Sequence, residues 1–106
     1  MAAVITYNYP TVGTTPPTVA QAALVNVQTV QVAFGADADT TATVTYNWAA
    51  ATPSNTGVIL PIATVVQNTG TSPVAVSLTL TSSAVATLTK LSAAGSVGTF
   101  TLVLMR

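Results

Sequence analysis

At 106 residues, with two Lys/Arg, two Asp/Glu and neither histidine nor cysteine, the chain has room for one compact domain and almost no ionic surface. That inventory excludes a disulfide framework, thiolate chemistry and the usual zinc ligand sets, and two separated cations cannot neutralise a phosphate track. Charged residues are 4 % of the sequence against about 25 % in ordinary soluble domains, so a solvated monomer would depend on Thr, Ser, Asn and Gln.

In chain order, AAVITYNY (residues 2–9) predicts a first strand. Pro10, Gly13, Pro16 and Pro17 then break regular structure, so residues 1–17 read as an N-terminal strand with a proline-containing arm or loop, and residues 18–106 as a single β domain. A brief helix is expected around residues 18–24. In LVNVQTVQVAF (24–34), Val25 and Val27 share one parity while Val30, Val32 and Phe34 share the other. That change near Gln28 and Thr29 predicts a bulge, a bend or a strand buried on both faces.

After Gly35 comes the acidic pair Asp37 and Asp39, then the clearest half-buried strand: Ala42, Val44, Tyr46 and Trp48 on one face, Thr41, Thr43, Thr45 and Asn47 on the other. AAATPSNTG (49–57) is a connection, and VILPIATVV (58–66) a strand interrupted or edged by Pro61. QNTGTSP (67–73) predicts a turn. VAVSLTLT (74–81), AVATLTKL (84–91) and TFTLVLMR (99–106) supply three further strands, with SAAGSVG between the last two. About seven short strands indicate an all-β fold: a compact antiparallel β-sandwich or a jelly-roll-like barrel. No apolar run reaches membrane-spanning length, and the first 30 residues predict no secretory signal.

Few residues are equipped for chemistry. Asp37 and Asp39 follow a flexible glycine, and aspartate turns the chain by bonding its own backbone. A turn is the leading expectation for the pair, an intersubunit polar contact and then a metal or catalytic role the lesser ones, and the spacing of a calcium loop is absent. Lys90 is expected either in solvent or against an acid. Arg106 suits a carboxylate across an interface, or a solvated end. Tyr46 and Trp48 share a face and belong to a core, a subunit contact or an exposed sugar-stacking platform. Tyr7 and Tyr9 form a smaller pair suited to anchoring an N-terminal arm. Tyr7, Tyr9, Asp37, Asp39, Tyr46, Trp48, Lys90 and Arg106 are thus the candidate assembly contacts. No catalytic residue, cofactor or metal is expected.

DADTTATVTYNW, followed by AAATPSNTGVILPIATVVQNTGTSPVAVSLTLTSSAVATLTK, resembles small structural proteins of tailed bacteriophages, particularly capsid decoration or cement proteins. The resemblance is one of texture and motif order over most of residues 34–90. It implies a noncatalytic virion protein that reinforces an assembled head as a symmetric oligomer. Its implied partners are the major capsid protein or other virion proteins, on a capsid surface assembled in the host cytoplasm. The scarcity of charge departs from the mixed surfaces expected of many virion proteins. A major coat, tail or fibre-associated subunit is the nearest alternative, and a carbohydrate- or surface-binding β module comes from a different class. Neither nucleic-acid binding nor membrane insertion is expected.

Overall fold

The computed structural model describes residues 3–35, 40–48, 61–70, 73–82, 84–91 and 97–106. Within them the chain runs β1 (Val4–Tyr7), α1 (Val19–Ala22), β2 (Val27–Phe34), β3 (Thr41–Thr45), β4 (Ile62–Gly70), β5 (Val76–Leu80), β6 (Val85–Lys90) and β7 (Gly98–Met105). The strands form two antiparallel sheets, ordered β1-β2-β7-β4 and β3-β6-β5. Neither sheet closes on itself, so the all-β expectation resolves to a sandwich.

The sheets meet along the period-two faces of their strands. Val30, Val32 and Phe34 of β2 and Phe100, Leu102 and Leu104 of β7 point inward from the larger sheet. Ala42 and Val44 of β3 and Ala86 and Leu88 of β6 meet them from the smaller one. Ala42 stands opposite Leu88, and Val44 opposite Ala86, so small and larger side chains alternate across this pair and fill the layer. Phe34 and Phe100 lock edge to face, their centroids 5.9 Å apart. Each such fully buried Val, Leu or Phe is worth about 1.5–3 kcal/mol relative to exposure.

The pairings are nested. β2 pairs with β7, β3 with β6, and β4 and β5 lie between them in sequence but in different sheets. β7 therefore sits inside its sheet, flanked by β2 and β4.

Three local expectations change. β2 pairs with β7 in unbroken register and contains no bulge. Its inward face begins at Gln28, which is buried, while Val27 points out. The apparent change of parity arises because an amide occupies a core position; its Nε2 donates to the Tyr46 carbonyl at 2.8 Å. Next, β4 begins directly after Pro61 and continues to Gly70, through half of the predicted 67–73 turn. A register shift between Gln67 and Thr69 admits Asn68, whose Oδ1 accepts from the Thr101 hydroxyl. Gln67 then spans the corner, its Oε1 accepting from Val74 N at 2.8 Å. Finally, Lys90 is buried, 2 % exposed, and does not stand in solvent.

The helix is a single turn held by reciprocal caps. Gln21 N donates to Thr18 Oγ1 at 3.2 Å, and Thr18 N to Gln21 Oε1 at 3.0 Å. Thr18→Ala should cost about 1 kcal/mol in urea unfolding, since one turn has little propagation energy of its own.

Of residues 1–17, the described part folds onto its own chain. β1 pairs with β2, and the following loop closes through Tyr7 N to Gly13 O (2.6 Å) and Gly13 N to Tyr7 O (2.9 Å).

Candidate functional site

Tyr46, Trp48 and Arg106 come together at the end of the sandwich where α1 sits. Asn47, between the two aromatics, adopts φ 54°, the left-handed conformation tolerated by asparagine. Its Nδ2 donates to Pro17 O at 2.7 Å. That twist lets Tyr46 and Trp48 both turn inward past the end of β3, 0 % and 2 % exposed, with ring centroids 5.6 Å apart. Trp48 Nε1 donates to the carbonyls of Ala22 (3.0 Å) and Val25 (3.1 Å). Arg106 lies 5.2 Å from the Trp48 ring centroid and donates to Ala23 O at 3.1 Å. These donors meet carbonyls at the C-terminal end of α1, the end where a helix presents unpaired acceptors and negative potential. The cluster is a latch that holds α1 across the sandwich end.

Tyr7 ties the sheets together: it is buried, and its hydroxyl oxygen accepts from Thr45 N at 2.9 Å, joining β1 to β3. Tyr9 donates to Gln21 O at 3.0 Å and fastens the N-terminal loop to α1. The Tyr46 hydroxyl donates to Ser82 O. Burial pushes the Tyr46 phenol up from its ordinary value of 10.0. A phenol whose folded pKa exceeds its unfolded one contributes stability that is complete below pH 10 and lost as pH climbs through the folded value. Alkaline titration followed by circular dichroism should therefore show a loss of structure beginning above about pH 10 that Tyr46→Phe moves upward.

At the opposite end, Lys90 closes β6 from inside. Its Nζ is 3.4 Å from Gly35 O and 5.7 Å from the Phe34 ring centroid. Asp37 and Asp39 lie outside the described residues, so the predicted acidic turn does too.

The outer faces differ. On the three-stranded sheet the side chains run Thr41, Thr89, Ser77 in one row and Thr43, Thr87, Thr79 in the next, a hydroxyl lattice that water covers readily. On the four-stranded sheet, Val27, Met105 and Ile62 form one row, exposed by 53 %, 39 % and 68 %. Val4 and Val66 are exposed on the same face. Among the described residues neither outer face carries an ionisable side chain. Both cations are spent elsewhere, Lys90 in the interior and Arg106 on the latch.

A shallow depression lies over the β4 bulge, lined by Gln67, Asn68, Thr69, Gly70 and Pro73, none of them acid, base or nucleophile at ordinary pH. Among the described residues no three His, Cys, Asp or Glu side chains gather as a metal site, and no helix is long and apolar enough to cross a membrane.

Sequence reasoning passed over Gln28, Asn47 and the outward apolar row. The parity of Gln28 with Val30, Val32 and Phe34 was the signal for the first. The row depends on register between strands far apart in sequence and has no local signal. Compared with protein-family models, curated proteins and solved structures, the chain matches none.

Proposed function

We propose that the chain is a noncatalytic structural subunit of a tailed-phage particle, stabilising or decorating the capsid through repeated contacts with its own copies and with the shell. The observation that carries this proposal is the charge distribution: two outer faces free of ionisable groups among the described residues, with Lys90 buried and Arg106, though exposed, held at the sandwich end against Trp48 and Ala23 O. Burying such faces against neighbours desolvates no ion, so contact area is gained without the cost of stranded charge. Two further features support it. The nested pairing of β2 with β7 and β3 with β6 is the connectivity of a double-sheet jelly roll short of one hairpin, an architecture used by capsid and lectin domains. The burial of Tyr46 and Trp48 removes the aromatic platform that a carbohydrate-binding module would present.

A cryo-electron-microscopy map of the purified native particle tests the proposal. The chain is expected at symmetry-related positions on the shell, with at least one sheet face covered. Finding the working form to be a single hydrated chain, absent from any particle, overturns it.

A further inference from the structure

We propose that the outer face of the β1-β2-β7-β4 sheet is where two copies of this chain pair, face to face, about a twofold axis. The inference rests on the assembly role proposed above and names the surface that performs it.

Register puts the apolar side chains in line. Met105 on the inner strand β7 stands opposite Val27 on β2 and Ile62 on β4, and in the next row Val103 lies between Thr29 and Thr64. Of the ten large hydrophobic residues exposed among the described residues, Val4, Val27, Ile62, Val66 and Met105 are on this face, none lies within β3, β5 or β6, and Leu91 alone stands just past the end of β6 beside the hydroxyl lattice. The concentration is specific to one side of the molecule, and isolated exposed valines do not account for an aligned row.

Charge selects the occupant. A partner with an ordinary mixed surface would bring ions that this face cannot pair, each losing hydration on contact. A second copy brings the same uncharged face. A twofold axis near Met105 sets the Ile62 end of one row over the Val27 end of the other, so the contact is self-complementary, as an isologous interface requires. The threonines and Gln31 in the remaining rows supply the polar surround usual at an interface rim.

Area agrees. At about 4.8 Å between strands and 3.4 Å per residue, the face measures about 450 Å² in projection before side-chain relief is counted. A stable interface removes about 800 Å² of accessible surface per partner, so pairing needs the whole sheet face rather than the apolar row alone.

The test is sedimentation velocity of the full chain across a concentration series, with Ile62→Lys and Val27→Lys on the face and Thr43→Lys on the opposite sheet. All three positions are exposed, and thermal unfolding checks that each variant folds. The wild type and Thr43→Lys should dimerise, whereas Ile62→Lys and Val27→Lys should weaken the dimer on the order of tenfold or more, each placing two lysines in one contact. A dimer indifferent to both face variants overturns the assignment of this face and leaves the assembly role standing. A dimer lost only in Thr43→Lys moves the contact to the other sheet and overturns the assignment equally. A wild type that stays monomeric throughout overturns the pairing, and the particle map then decides the assembly role separately.

Discussion

Trp48→Ala should lower the stability of the folded chain by about 3–5 kcal/mol, a large part of the 5–15 kcal/mol that holds a small domain together. The indole is almost wholly buried, so its removal leaves a cavity against the edge of Tyr46. The same change withdraws the donor shared by Ala22 O and Val25 O and the ring under Arg106, releasing α1 from the sandwich end. Guanidinium chloride unfolding followed by far-UV circular dichroism measures the effect as a lower midpoint. Trp48→Phe restores most of the volume without the N–H, and its smaller deficit separates packing from hydrogen bonding. An alanine variant as stable as the parent would show that the latch has no energetic weight.

Deleting residues 1–17 should abolish cooperative unfolding rather than merely trim an arm. β1 covers the free edge of β2 along Val4–Tyr7, and Tyr7 belongs to the core. Its loss exposes the β2 edge, empties the Tyr7 site, and removes both the acceptor for Thr45 N and the Pro17 carbonyl that Asn47 holds. The aromatic vacancy alone is worth about 3–5 kcal/mol. Tyr7→Phe is the milder companion: it keeps the ring, leaves Thr45 N without its acceptor, and should cost about 1–3 kcal/mol. Thermal melts of the three proteins rank the effects. A shortened chain that melts like the parent yet no longer associates would instead assign residues 1–17 to a neighbouring subunit.

Alternation made most of the fold legible. Ala42 and Val44, and likewise Phe100, Leu102 and Leu104, announced their inward faces because a strand exposes every second residue to one environment, and Tyr46 and Trp48 keep that side beyond the end of β3, around the left-handed Asn47. Where a polar side chain entered the core, the same rule misled. Gln28 broke the pattern because its amide is satisfied by Tyr46 O, a partner eighteen residues away that periodicity cannot register. The extent of β4 was hidden for a similar reason: Asn68 and Gly70 carry turn chemistry, but pairing with β7 and a bulge overrule local preference. Lys90 was legible as an inward-parity residue on β6, yet its charge argued for solvent; parity prevailed, with Phe34 and Gly35 O around the ammonium. As for the candidate surface, the scarcity of ions was plain from composition. The grouping of Val27, Met105 and Ile62 appears only once three strands are aligned.

The interior position of β7 governs how this chain emerges from a ribosome. Among the described residues β4 pairs in its sheet with β7 alone, and β2 finds its second neighbour there, so Val27 and Ile62 wait for Met105 of β7, the last of these strands in chain order. Until then the growing polypeptide exposes two unpaired strand edges rich in valine, with hardly a charge to hold nascent chains apart. Slowed translation or crowded polysomes should therefore drive this protein into aggregates that the finished molecule avoids, and holdase chaperones should raise its yield.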